Sequence, residues 1–228
     1  MVVTTHQPIF LPWPGFFFKA LNSDCMVLLD DVQFPRGHGW VNRNRLKNEK
    51  GELWLTVPVW KKGRGLQIIR NVEICNETNW KRKHIQSIRQ SYARAPYLKD
   101  FLPIIESIYE KNIRFLIELN LDIINFFWDA LSINSKICLQ SELGITGKGT
   151  ELIINACRHL NADTYIAFPI AAKHLDISRI EQAGIKAVFL SFNPPVYPQL
   201  WGEFIYNLST LDMLLNCGEK SREIILSC

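Results

Sequence analysis

The stretch that most constrains this chain runs from Val2 to Asn44, VVTTHQPIFLPWPGFFFKALNSDCMVLLDDVQFPRGHGWVNRN. It reads as a strand, a polar turn, a short helix, a second strand, and a loop dense in hydrogen-bonding side chains. Val2 to Thr5 is β-branched throughout, as suits a short buried strand. After His6 and Gln7, Pro8 ends the strand, because it has no N–H for a ladder and fixes its own φ. Pro12-Trp13-Pro14-Gly15 turns the chain, and Phe16 to Leu21 has room for about two helical turns. Cys25 to Leu29 is the second apolar run. It stops at Asp30-Asp31, followed by a loop carrying Gln33, Arg36, His38, Asn42, Arg43, Asn44 and Arg45.

Beyond the loop, Leu53–Val59 and Leu66–Ile74 alternate well enough to pair as a basic β-hairpin about the turn 61–65. Residues 78–131 then read as three helices, Asn79 to about Tyr92 with Thr78 as N-cap, Leu98–Tyr109 and Ile113–Leu131. In the third, Arg114, Glu118, Asp122, Asn125 and Asp129 draw one narrow polar stripe on a buried rod. Short strands at 137–139, 164–166 and 188–190 alternate with helices at 150–160 and 178–183, and a helix at 208–216 closes the chain. Such alternation argues for an α/β fold with a mostly parallel sheet and helices on both faces. We expect a single domain over 1–228, with 78–131 as an inserted helical subdomain.

At 47% hydrophobic and 21% charged residues, the chain has the composition of a globular protein rather than a disordered one. The longest apolar stretch, 113–131, carries four charges and does not read as a membrane span. Six cysteines form no C-x-x-C pair, and Met1 runs straight into the first strand without a secretory leader. Reduced thiols and a cytoplasmic location are the expectation. The net charge of +4 is concentrated between Arg36 and Arg94, a basic lobe suited to phosphate, nucleotide or RNA.

In parallel sheets ligands sit outside the carboxyl ends of the strands. His6 and Asp30/Asp31 each follow a strand directly, so all three are candidate catalytic residues. His6 suits proton transfer or a phosphate contact. The acids could hold Mg²⁺, an amine or a ribose, or brace the loop by pairing with Arg43 or Arg45; Mg²⁺ is the one cofactor their chemistry suggests. Candidate binding residues are Gln7, Trp13, Gln33, Arg43, Asn44 and His84, then Lys148, Thr150, Tyr197 and Gln199. Arg43 offers a planar fork for carboxylate or phosphate. His84, four residues after Trp80, could reach across from its helix, though a surface or helix-packing histidine is the reading its position favours. Residues 144–150, GITGKGT, do not form a P-loop, since Gly149 separates Lys148 from Thr150. Free N–H groups at the start of the Thr150 helix, beside Lys148, leave an anion contact open against simple N-capping.

Three segments together carry a family resemblance: H-Q-P-x-x-L-P-W-x-G-F-F-x-K from His6 to Lys19, S-D-x-x-V-x-L-D-D-V-Q-F from Ser23 to Phe34, and W-x-N-R-N from Trp40 to Asn44. They resemble the WbqC-like family of bacterial proteins, with fainter echoes down almost the whole chain. The resemblance implies a place in clusters for O-antigen and other surface polysaccharides. The chain departs from that pattern at Ile166-Ala167-Phe168-Pro169, at Lys173-His174-Leu175-Asp176 and at Asn193-Pro194, which would alter the substrate if those segments line the pocket.

Two readings follow. The first is a transferase acting on a phosphate-bearing, nucleotide-linked sugar or amino sugar. The second is a non-catalytic module that binds nucleotide or RNA through the basic, tryptophan-bearing lobe.

Overall fold

The computed structural model describes residues 1–37 and 39–228, so the expectation placed on the His38 loop position lies outside the described residues. In chain order the elements are β1 (Val2–His6), α1 (Pro14–Leu21), β2 (Cys25–Leu28), β3 (Arg43–Asn48) and β4 (Gly51–Thr56). Three helices follow: α2 (Trp80–Ser91), α3 (Leu98–Glu110) and α4 (Leu116–Ala130). Then come β5 (Lys136–Leu139), α5 (Thr150–His159), β6 (Thr164–Ala167), α6 (Ile177–Gln182), β7 (Lys186–Phe189), α7 (Thr210–Cys217) and α8 (Ser221–Leu226). No helix among the described residues is long and apolar enough to cross a membrane.

Five strands form one parallel sheet in the order β5-β2-β1-β6-β7. The side-chain period of two divides them between faces. On β2, Met26 and Leu28 enter the larger core with α1, α4 and α7, while Cys25 and Val27 join Val3 against α5 and α6. The sheet is thus covered on both faces, as the alternation in sequence requires.

The chain leaves β1 in one direction to build β2 and β5, then returns to β1's other side to build β6 and β7. The gap between the carboxyl ends of β1 and β6 is therefore the topological switch point of a doubly wound sheet, where such folds bind ligands.

The basic hairpin exists but sits earlier than its sequence pattern suggested. It pairs β3 with β4, Arg45 opposite Trp54, and turns at Glu49-Lys50. The 66–74 segment contributes isolated bridges only, Gln33 with Ile68 and Val59 with Ile74. The chain of β3, Arg-Asn-Arg-Leu-Lys-Asn, resembles a polar loop, yet Asn44 and Leu46 point into the core while Arg43, Arg45 and Lys47 line the other face. Lys47 is fully buried there, its ammonium held by the Gln199 side chain and the Glu203 carbonyl.

Candidate functional site

The site is built by the link between β1 and α1. Its backbone is pinned by two buried asparagines. Asn44 donates to the carbonyls of Phe10 (3.1 Å) and Leu11 (2.7 Å), and Asn120 on α4 donates to those of Pro8 and Val41, both at 2.8 Å. These bonds hold Leu11 at φ 45°, a left-handed conformation that a leucine adopts only when its surroundings enforce it. Pro14 then opens α1 with its φ already helical, and Trp13 before it is extended, as a residue preceding proline prefers. Gly15 is required by proximity: a Cβ there would collide with the Trp13 ring.

This frame walls a cavity of about 470 Å³ at the switch point. His6, Gln7, Ile9 and Trp13 come from the end of β1 and its loop, Trp40, Asn44 and Arg45 from the approach to and start of β3, and Asn207 from the segment before α7. Trp13 rests against Phe168 (5.8 Å) and Phe192 (5.3 Å), beyond the ends of β6 and β7.

His6 is enclosed by protein but keeps one edge on the cavity. Its Nδ1 lies 2.8 Å from the Gln7 carbonyl oxygen. A carbonyl can only accept, so the neutral ring carries its proton on Nδ1 and presents the Nε2 lone pair. Burial, then the charge of Lys19, push the imidazole down to about 3. Lys19 is itself buried, donates to the Thr5 carbonyl at 2.7 Å and lies over the Phe168 ring; burial lowers its ammonium to about 7. Sequence reasoning passed over Lys19 because it ends an apolar run, Phe16-Phe17-Phe18-Lys19, and reads there as the solvated end of a helix. The same reasoning does not place Arg45, Trp40 or Asn207 in a cavity. Trp40 opens the W-x-N-R-N motif and Arg45 follows it, but only the tertiary path of the chain brings the three to the same space.

The remaining expected residues fall elsewhere. Asp30 lies at the same sheet edge as His6 but turns the other way. Its carboxylate accepts the Ser141 N–H (2.9 Å) and the Ser141 hydroxyl, just past β5. Asp31 forms an ion pair with Arg70 at 2.7 Å. The acids therefore point to different partners and present no shared oxygen cage for Mg²⁺, and among the described residues no group of three metal-ligating side chains converges. Arg43 stacks on Trp54 at 4.6 Å rather than lining the cavity, and Gln33 faces solvent. His84 is buried between Trp80 and Phe10, with Nδ1 3.2 Å from the Tyr109 hydroxyl, so it does not reach the cavity. Thr150 Oγ1 accepts the Asp176 N–H at 2.8 Å, Gly149 takes the N-cap position, and Lys148 is an exposed neighbour. Tyr197 and Tyr92 both donate to the buried carboxylate of Asp212, and Gln199 holds Lys47. The last group is a brace that straps the 197–209 segment against β3.

Asp30→Ala tests the structural assignment. It removes a buried carboxylate, strands a half-buried N–H and hydroxyl on Ser141, and is expected to destabilise the fold by about 1–3 kcal/mol in urea unfolding. An Asp30→Ala protein of unchanged stability that fails to bind ligand would return Asp30 to the site.

Comparison with known proteins agrees with the sequence motifs. Residues 7–224 match the WbqC-like protein family. The chain is 29% identical to the uncharacterized protein Rv1507c of Mycobacterium tuberculosis over 228 residues, covering 99% of this chain and 98% of that protein. No solved structure matches.

Proposed function

Because the chain belongs to the WbqC-like family, we propose that the switch-point cavity is the active site of a transferase that moves a group to or from a nucleotide-linked sugar or amino sugar during surface-polysaccharide assembly in the cytoplasm. The observation that carries the reading is the pairing, in one cavity, of a histidine with a free Nε2 lone pair and an arginine. Arg45, held by an ion pair with Glu52 and a bond to the Tyr206 carbonyl, sets a positioned guanidinium at the cavity wall for a phosphate to share. Nε2 accepts a hydrogen bond from the attacking hydroxyl or amine and takes its proton as the bond to the transferred group forms and the donor's bond to its phosphate breaks, the electron pair leaving on the phosphate oxygen beside Arg45. In the empty cavity the imidazole is a weak base. An anionic donor entering beside it favours the imidazolium and brings its basicity toward the working range.

The segments that depart from the family pattern bear on selectivity. Phe168 stands against Trp13, which lines the cavity, so the change there touches the pocket wall and supports a substrate different from that of close relatives.

The test is a thermal-shift screen of nucleotide-sugars against short RNAs. A ligand at about 100 times its Kd adds about 2.7 kcal/mol, which for a chain of this size raises the Tm by about 5–10 °C. Arg45→Met is expected to reduce that shift. His6→Gln is expected to preserve most of it while slowing transfer by about 10²–10⁴-fold. Stabilisation by RNA alone, indifferent to both substitutions, would replace this reading with the binding-module one, which rests on the exposed Trp40, Trp54 and Trp60.

A further inference from the structure

Beside the cavity the hairpin carries an arrangement that the chemistry at His6 does not use. Trp40 and Trp54 stack with ring centres 5.5 Å apart at 25°. Both are exposed, 44% and 41%, among the largest apolar side chains the surface shows. Arg43 lies over the Trp54 ring at 4.6 Å and Arg45 over Trp40 at 6.0 Å. The two arginines are two residues apart on β3 and share a face. Arg45 is also ion-paired with Glu52 across the hairpin and donates to the Tyr206 carbonyl at 3.2 Å, whereas Arg43 has no carboxylate partner among the described residues.

Neither feature explains itself within the chain. A stacked, half-exposed tryptophan pair leaves apolar surface in water that a monomer gains nothing by showing. Arg43, a guanidinium beside the rings with no carboxylate of its own among the described residues, leaves its charge open to an anion from outside. Trp54 covers part of Trp40, and Trp40 and Arg45 also line the cavity, so the open surface borders the space where His6 points.

We propose that Trp40, flanked by Arg43 and Arg45, is a nucleobase subsite that receives the base of a nucleoside diphosphate. The base extends the Trp54–Trp40 stack, and the diphosphate lies along Arg45. The group beyond it is thereby directed inward to His6. A flat, electron-poor heterocycle suits this platform better than a free sugar, because guanidinium and indole both present planar faces. The assignment rests on the transferase reading for its inner end only; the stacking end stands on the hairpin.

Calorimetric titration of the full chain with uridine, thymidine and guanosine diphosphates, free N-acetylglucosamine and a short single-stranded RNA tests it. At least one diphosphate is expected to bind. Trp40→Ala is expected to weaken that binding about ten-fold or more, whereas Trp40→Phe, which keeps a ring, stays within about three-fold of the parent. Trp40→Phe keeps the stack on Trp54 and should melt where the parent does, while the melting curve of Trp40→Ala, which gives up that stack, shows that it is folded at the titration temperature. The subsite is overturned if no diphosphate binds, if Trp40→Ala binds as the parent does, or if free N-acetylglucosamine suffers the same loss. RNA bound more tightly than every mononucleotide also overturns it. The two proposals fail separately. Trp40-dependent diphosphate binding by a protein that carries out no transfer supports the subsite and removes the transferase reading. His6-dependent transfer indifferent to Trp40→Ala does the reverse.

Discussion

Between pH 6.5 and pH 4.5 the folded protein is expected to lose about 4 kcal/mol relative to the unfolded chain, through His6 and His84 alone. Burial, and for His6 also Lys19, push the two imidazoles down to about 3 and about 4. In the unfolded chain both take a proton near pH 6.5. Over the interval the unfolded state therefore binds more protons than the folded one, so stability falls as the pH falls. Each histidine contributes about 2 kcal/mol across those two pH units, with the share of His6 trimmed by whatever water occupies the cavity it lines. Asp212 acts in the opposite sense, because burial raises its carboxyl and protonation in acid relieves the folded state.

The comparison that isolates the effect is His84→Phe. The ring fills the space between Trp80 and Phe10, forfeits the contact with Tyr109, and has nothing to titrate. Urea unfolding at the two pH values should show the substituted protein losing about 2 kcal/mol less than the parent. Equal losses in both would mean that His84 is protonated in the native state, and the burial assigned to it would be wrong. With a net stability for domains of about 5–15 kcal/mol, the parent's loss brings acid unfolding within reach of ordinary conditions.

These histidines also show what the sequence could and could not convey. His6 is readable because its position follows from local rules: a β-branched run, a proline that ends it, and the geometry of parallel sheets. Its neighbours Gln7 and Trp13 share that local logic and share the cavity. Asp30 satisfies the same rule, following a strand at the same edge, yet its carboxylate is claimed by Ser141, 111 residues away. No pattern near Asp30 announces that partner. For His84 the helical spacing to Trp80 leaves a reach to the site open beside a surface or helix-packing place, because helical spacing fixes a face and not whether that face meets solvent or core; the structure packs it inside. The shift of the hairpin has a third cause. Arg43, Arg45 and Lys47 look like loop residues until their partners are known: two tryptophan rings, the Glu52 carboxylate, the Tyr206 carbonyl and the 197–209 strap. Long cationic stems can be strand residues when their heads find such partners, and composition registers only the charge. Lys19 is the converse, a cation whose head finds almost none.

Replacing Lys19 by methionine is expected to stabilise the protein by about 3 kcal/mol at pH 7. The unfolded ammonium titrates at 10.5, whereas burial lowers the folded one to about 7. Between those values the unfolded chain holds a proton that the folded chain sheds, so parent stability rises with pH, by about 2 kcal/mol from pH 7 to pH 9. Below pH 7 both states are charged and the penalty is complete. Methionine removes the titration, keeps the unbranched stem against Phe168, and gives up only the bond to the Thr5 carbonyl. The substituted protein should unfold at higher urea concentration at pH 7, and its pH 7–9 rise should vanish. A native fold retains such a costly group where the group has work to do. Lys19 donates to the carbonyl of Thr5, next to His6, and its charge acts on that imidazole; an anion entering the cavity would favour its charged form, so the stabilised protein is also expected to bind phosphate-bearing ligands more weakly. A Lys19→Met protein destabilised at pH 7, with the alkaline rise intact, would show that the ammonium is solvated in the native state and has no part in the cavity's electrostatics.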